Sequence, residues 1–192
     1  MLKEYFIRKF IDISDLIQNE FERNIQKYGD KIKCRKGCSQ CCSQIFRITE
    51  TDAAVIKFHL DGLKEEIKEH LKEKASEYKL NLTGNFQGTD DYNSDIKFPC
   101  PALDENGACM IYEGRPVVCR RFGPPVYDYK HPDKLFACEL NFSNGEEIID
   151  NALIPNQTLI GKKWDELKTE FNEVNNLKEN ASTTIAEAIL DS

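Results

Sequence analysis

The sequence has no long hydrophobic run and no surplus of basic residues. No window approaches the roughly 18 uninterrupted apolar residues that a membrane-spanning helix needs. The N-terminus, MLKEYFIRKFIDIS, is interrupted by charges too often for a signal-peptide core. With 26 Lys and Arg against 33 Asp and Glu, the net charge is −7, and no basic stripe favours nucleic acid or an anionic membrane as partner. These absences predict a cytoplasmic protein.

Cysteine, in contrast, is abundant. The 192 residues contain eight cysteines, and a domain of this size has enough core to fold without disulfide bonds. Because no export signal is recognisable, clustered cysteines in an even number indicate metal ligation rather than a disulfide framework. The usual size of domains also predicts that residues 1–192 form a single one.

Hydrophobic periodicity predicts helices at the start of the chain. Apolar residues recur every three or four positions over residues 2–28, and Gly29 is placed to end this helix. Thr49 can cap a second helix whose first turn contains Asp52, and a third helix follows a break near Gly62. The first helix must bury its apolar face, either within the domain or against a protein partner, including a second copy of the chain.

The middle of the chain predicts irregular structure between helical flanks. Residues 81–95 are rich in Gly, Asn and Asp, which is typical of a connecting loop. The segment CPALDENGACMIY predicts a small β-hairpin, and EGRPVVCRRFGPP predicts a single helical turn. Helical flanks are predicted in residues 1–29 and 146–192, with a last short helix from about Ser182. The predicted fold class is mostly α, with amphipathic helices around an irregular, cysteine-rich metal-binding middle.

The cysteines form two groups of four along the chain. The first group lies within CRKGCSQCC, and the second is spread over a longer segment. Short spacings allow successive thiolates to reach the ~2.3 Å bond length around one metal centre. All eight are therefore predicted metal ligands: Cys34, Cys38, Cys41, Cys42, Cys100, Cys109, Cys119 and Cys138.

The adjacent pair Cys41 and Cys42 indicates how the two groups combine. Neighbouring side chains usually diverge, so this pair is predicted to serve two metal positions or two irons of one cluster. In that arrangement Cys41 faces one centre together with Cys34 and Cys38. Cys42 reaches instead towards the ligands of the second group, so that the two groups interleave.

The spacing of Cys34, Cys38 and Cys41 also coincides with the three-cysteine pattern of radical enzymes that use S-adenosylmethionine. Those enzymes place the pattern after the first strand of a large partial barrel. Here it follows a long helix, and the sequence has no strand–helix alternation, so the surrounding pattern disfavours that class.

Thiolate ligands narrow the choice of metal without fixing it. Soft thiolates select zinc, copper(I) or an iron–sulfur cluster, which could be of the four-iron four-sulfur type. Arg115, Arg120 and Arg121 lie within the second group, and they are candidate cofactor-binding residues because their charge could offset an anionic thiolate cluster. The alternative is that they are ordinary surface arginines. The three histidines are weaker ligand candidates: His59, His70 and His131.

The combination of CRKGCSQCC, CPALDENGACMIYEGRPVVCRRF and Cys138 resembles the CxxCxxCC family of zinc- or iron-chelating proteins, also called YkgJ-family cysteine cluster proteins. The resemblance covers about residues 34–138 and implies metal chelation through eight cysteines. One branch includes flagellin lysine N-methylases, so it also implies an alternative: an iron–sulfur enzyme, either an S-adenosylmethionine-dependent protein lysine N-methyltransferase or an oxidoreductase. A glycine-rich nucleotide-binding segment, however, is not recognisable.

Overall fold

The structure is a computed structural model that describes residues 2–35, 37–85 and 98–192. Contacts divide the chain into two compact units. Unit 1 comprises Met1–Cys38 and Val117–Glu179, and unit 2 comprises Ser39–Pro116 and Asn180–Ser192. The organisation of residues 1–192 as a single domain stays a prediction.

The described residues are mostly α-helical, as the sequence predicts. The helices are α1 (Leu2–Tyr28), α2 (Glu50–Asp61), α3 (Glu65–Asn85), α4 (Val117–Arg121), α5 (Leu153–Val174) and α6 (Ile185–Leu190). The strands are β1 (Arg47–Thr49), β2 (Val126–Tyr127), β3 (Leu135–Phe136) and β4 (Ser182–Thr184). They form two antiparallel pairs, β1 with β4 and β2 with β3. No helix in the described parts of the chain is long and apolar enough to cross a bilayer.

Unit 1 is built on the packing of α1 against α5. The rings of Phe6 and Phe171 meet edge to face with centroids 5.2 Å apart, and those of Phe10 and Trp164 do so at 6.0 Å. Phe6, Phe10 and Ile13 are at most 5% exposed. The predicted apolar stripe of α1 is therefore covered inside unit 1, and this burial supplies much of the driving force for folding the unit.

A polar network connects α1 to the segment before α5. Arg23 Nη2 lies 2.6 Å from both Glu20 Oε1 and Asp150 Oδ2. The side chains of these two acids are 5% and 2% exposed. Asn156 Nδ2 donates to Glu20 Oε2 at 2.7 Å. One arginine thus pairs with two buried carboxylates, and such pairing lowers the cost of burying their charge.

Unit 2 contains the same strand-to-helix arrangement twice. β1 and β4 pair so that Thr49 lies opposite Ser182, and each strand leads directly into a helix. Thr49 Oγ1 accepts a hydrogen bond from Asp52 N, and Thr184 Oγ1 accepts one from Glu187 N. Each acid side chain accepts in return from its threonine N–H, which completes a capping box. The Thr49 cap is confirmed, whereas β4 occupies the residues where the sequence predicts the last helix to begin.

The helix α3 corrects the predicted connecting loop. The prediction of a loop from residue 81 is wrong for its first five residues, because α3 continues to Asn85. The other residues of that prediction, 86–95, lie outside the described part of the chain. The predicted break near Gly62 is confirmed, since α2 ends at Asp61 and α3 begins at Glu65.

The predicted hairpin is reduced to one antiparallel bridge, between Leu103 and Cys109. The Asp104 carboxylate accepts hydrogen bonds from Asn106 N at 2.8 Å and Ala108 N at 2.7 Å. This side chain satisfies backbone N–H groups within the turn. A tight turn therefore forms without two regular strands.

Candidate metal centres

The eight cysteines divide equally between the two units. Each unit contains two cysteines from the first sequence group and two from the second. The unit 1 cysteines are Cys34, Cys38, Cys119 and Cys138. The unit 2 cysteines are Cys41, Cys42, Cys100 and Cys109. All eight lie in described residues and are thiols rather than disulfides.

In unit 1, Gly123 and Asn141 bring Cys34 beside the segment of Cys138. Asn141 Nδ2 lies 3.6 Å from Cys34 Sγ and donates to Gly123 O at 2.6 Å. Cys138 N donates to the same Gly123 carbonyl at 2.9 Å. Cys138 is 8% exposed. A cysteine from each sequence group is therefore held around one short stretch of backbone.

The close approach of Cys34 depends on a glycine. Gly123 has φ +127°, and a Cβ added there would lie 2.6 Å from Cys34 Sγ. Such a contact is shorter than real Cβ contacts, so any other residue would push the thiol away. The sequence predicts Gly123 only as the residue after a helical turn. Its close approach to Cys34 is visible only in the folded structure.

The other two unit 1 cysteines lie on short local structures. Cys119 is on α4, the single helical turn that the sequence predicts, two residues after Val117. Cys38 N donates to Arg35 O at 2.9 Å in a tight turn, and Cys38 is the exposed cysteine of the eight. Its exposure leaves its thiol accessible from solvent.

In unit 2, Cys41 and Cys42 lie in one 3-10 turn, Gln40–Ser43. Hydrogen bonding by the Cys42 thiol and, after it, burial raise the pKa of Cys41 above its ordinary value, against a smaller opposing effect of the Arg115 charge. The two thiols are therefore close neighbours. The expectation that the adjacent side chains diverge is wrong here, because a 3-10 turn curls the chain where an extended segment would alternate.

Cys100 links the two sequence groups within unit 2. Its backbone N–H donates to Cys42 O at 2.7 Å. Burial raises the pKa of the Cys100 thiol to about 11, and the nearby thiols of Cys109 and Cys41 act in the same direction. The antiparallel bridge between Leu103 and Cys109 returns the chain towards Cys100. Four thiols from the two groups therefore belong to one neighbourhood.

These cysteines fit a thiophilic metal by donor type. Among the residues that the structure describes, no three His, Cys, Asp or Glu side chains lie close enough together to hold a metal ion as they stand. Each unit nevertheless supplies four thiols, the ligand number of a closed zinc site or of an iron–sulfur cluster. The complete ligand set of eight cysteines stays a prediction.

The three candidate arginines have different surroundings. The Arg115 guanidinium stacks on the Tyr112 ring, 3.6 Å from its centroid, and its charge acts on Cys41. Arg120 lies 5.7 Å from the centroid of Phe10 in unit 1. Arg121 donates to Tyr127 O at 3.2 Å and to a glutamine side chain at 2.9 Å. Arg115 therefore has an electrostatic effect on a predicted ligand.

The structure shows which residues lie beside two of the histidines. The ring of His59 lies beneath Gly114, where an added Cβ would come within 2.8 Å of His59 Cβ. His131 Nδ1 lies 2.8 Å from an Asp128 carboxylate oxygen.

Asn141, in contrast, was missed by sequence reasoning. The available signal was its position three residues after Cys138, and this position matches no recognised sequence motif.

Comparison with protein families places most of the cysteines in a known domain. A family model described as a putative zinc- or iron-chelating domain matches residues 33–136, more than half of the 192 residues. The matched segment contains seven of the eight cysteines and ends just before Cys138. No curated protein matches the chain. No solved structure matches it either.

Proposed function

Because this chain belongs to the CxxCxxCC family, we propose that it binds metal through two separate sets of four thiolates. The unit 1 cysteines form one set and the unit 2 cysteines form the other. The observation that carries this proposal is their equal division between the units, with both sequence groups represented in each. This assignment keeps the predicted interleaving but moves Cys41 from the set of Cys34 and Cys38 to that of Cys42.

The proposed metal is zinc, or iron in an iron–sulfur cluster. Thiolates favour both, and four of them leave a zinc ion without an open coordination position. A closed zinc site stabilises a fold, and structural zinc in small domains contributes about 10–16 kcal/mol of apparent binding free energy. Both units contain much irregular backbone around their cysteines, which such a contribution would organise.

Arg115 supports the charge balance of the unit 2 set. Four thiolates around a divalent ion carry a net negative charge, and a cation nearby reduces the cost of bringing them together. The effect of Arg115 on Cys41 has the required sign, because it lowers the pKa of that thiol. We therefore keep Arg115 as a proposed electrostatic partner of the metal.

Metal analysis of cysteine variants tests the proposal. The protein would be purified without oxygen, and its zinc, iron and acid-labile sulfide would be measured together with its visible spectrum. The variants C34S/C138S and C100S/C109S would each be expected to lose the metal of one unit and to retain that of the other. Loss of all metal from either variant would contradict two separate sets, and a metal-free wild-type protein would contradict metal binding.

The same spectrum decides the alternative of an iron–sulfur enzyme. Iron with sulfide and a visible sulfur-to-iron band would support that alternative, and stoichiometric zinc in a colourless protein would contradict it. The pocket of about 470 Å³ found in unit 1 is lined by residues 129, 162, 165, 166, 169, 170 and 173, none of which is a cysteine. This pocket does not include a proposed metal ligand, so the choice between the two forms rests on the metal and sulfide analysis.

A further inference from the structure

Asn141 is a buried polar side chain at the centre of the unit 1 cysteine segments. It is 5% exposed, and three parts of the chain meet at its amide. Its Oδ1 accepts a hydrogen bond at 2.7 Å from the backbone N–H of Lys33, the residue before Cys34. Its Nδ2 donates to Gly123 O, and its own backbone N–H donates to Cys138 O at 2.8 Å.

The hydrogen bonds fix which way this amide points. Lys33 N can only donate, so the amide atom facing it must be the carbonyl oxygen. The NH₂ group then faces Gly123 O, which can only accept. The second N–H of the NH₂ group remains for Cys34 Sγ, 3.6 Å away. The Asn141 amide therefore presents a donor to sulfur for a reason independent of that contact.

From this geometry we infer that Asn141 is a positioning residue for the unit 1 set, donating N–H to the Cys34 sulfur and joining that cysteine to the Cys138 segment. The ligand of the set is a thiophilic divalent ion or an iron–sulfur cluster, so this inference rests on the proposed function. A donor to a coordinated thiolate stabilises the sulfur lone pairs and fixes the ligand's direction, as outer-shell groups do in metal sites.

Substitution of Asn141 tests the inference on the full chain. N141L removes the amide at similar volume, whereas N141D keeps the acceptor for Lys33 N–H, removes the donor and adds a negative charge beside the sulfur. Replacing an outer-shell partner typically lowers metal affinity about 10- to 100-fold, and we expect a decrease of that size for the zinc of unit 1 in both variants. N141D provides the same test if N141L does not fold.

A spectroscopic measurement separates positioning from stability. Cobalt(II) bound to thiolates gives a sulfur-to-metal charge-transfer band, and loss of an N–H donor raises the sulfur lone-pair energy. This band is therefore expected at longer wavelength in the Asn141 variants than in the wild-type protein. A folded Asn141 variant with unchanged band and unchanged zinc affinity would overturn the inference.

Asn172 offers a matched control in unit 1. It is also a buried asparagine, 8% exposed, and its Nδ2 donates to the carbonyls of Lys178 and Glu179 rather than to sulfur. N172L should reduce stability without moving the cobalt band. An equal band shift in N172L would assign the effect to general destabilisation and overturn the role of Asn141. If wild-type protein binds neither zinc nor cobalt and holds no iron–sulfur cluster, the proposed function itself has failed.

Discussion

Gly123 shows how one missing side chain can determine the position of a candidate ligand. The residue combines a positive φ with a backbone that passes directly beside Cys34. The first property costs an L-residue about 1–3 kcal/mol of strain, and the second excludes a Cβ altogether. The strain and the steric contact can be tested separately, because other glycines have a positive φ without a close neighbour.

The variant G123A is expected to weaken zinc binding by unit 1 and to destabilise the protein by about 1–3 kcal/mol. The physical reason is the 2.6 Å contact that the new Cβ would make with Cys34 Sγ. Zinc affinity and urea unfolding would measure the two effects. G145A is the control, since Gly145 has φ +75° but nothing within 4 Å of an added Cβ. Equal loss of zinc in both variants would contradict the steric explanation.

Asp165 gives the protein a predictable response to acid. Lys130 and Lys168 lie 2.6 and 2.7 Å from its carboxylate oxygens, and Tyr129 donates to it. Burial opposes the charge of this carboxylate, but the hydrogen bonds from these three groups outweigh it and lower the pKa of Asp165 to about 2. A pKa below the ordinary 3.8 means that ionised Asp165 stabilises the folded state.

The contribution of Asp165 should be complete above about pH 4 and should disappear as the pH falls to about 2. D165N is therefore expected to be less stable than the wild-type protein at neutral pH, with a difference that shrinks over this interval. Urea unfolding at a series of pH values measures it. E166Q removes a charge from the next, exposed position of α5 and serves as control. A difference that stays constant down to pH 2 would contradict the prediction.

At the scale of elements, α1 is attached to the start of α5 by charge as well as by aromatic packing. Burial works against ionised Asp150, but hydrogen bonds from Arg23 and Ala152 N outweigh it and lower the pKa of this carboxyl. Glu20 shares the same guanidinium. The three side chains therefore act together. Loss of the Arg23 cation would leave the two carboxylates buried without compensation.

Replacement of Arg23 by Met should cost about 2–3 kcal/mol of unfolding free energy. Met keeps much of the apolar stem but leaves Glu20 and Asp150 without their shared cation, and Lys27, 3.6 Å from Asp150, compensates only in part. Urea unfolding at neutral pH gives the magnitude. R8M changes an exposed arginine of the same helix and should cost much less. Similar costs for the two variants would show that the network contributes little.

At the scale of the whole molecule, the proposed metal should affect the cysteine segments more than the long helices. α1 and α5 bury apolar faces against each other and have a source of stability of their own. The segments around the cysteines contain short turns and few regular hydrogen bonds. Metal removal should therefore loosen the chain locally.

After chelation, amide hydrogen exchange is expected to accelerate in residues 34–42 and 98–138 and to change little in α1 and α5. Mass spectrometry of peptides from metal-loaded and metal-free protein measures the difference. The comparison of α1 with residues 34–42 in one sample is an internal control. Identical protection of the cysteine segments in the two forms would contradict a structural role for metal.

Much of the fold was predictable because its helices are specified locally. The periodic apolar residues of α1, the Thr49 cap of α2 and the turn before Gly123 all depend on residues a few positions apart. The pairing of β1 with β4 was not predictable. These strands have three residues each and lie more than 130 residues apart, and backbone pairing carries little residue-specific information.

The sequence by itself determined the helical class, the thiol chemistry and the family, since these depend on residue type and short spacings. Tertiary structure decided which cysteines belong to the same unit, and it assigned Cys38 and Cys41 to different units although they are three residues apart. It also selected Asn141 and Gly123 as the neighbours of Cys34. The physical reason is that such neighbours are set by packing and hydrogen bonds between segments about a hundred residues apart, which no local pattern records.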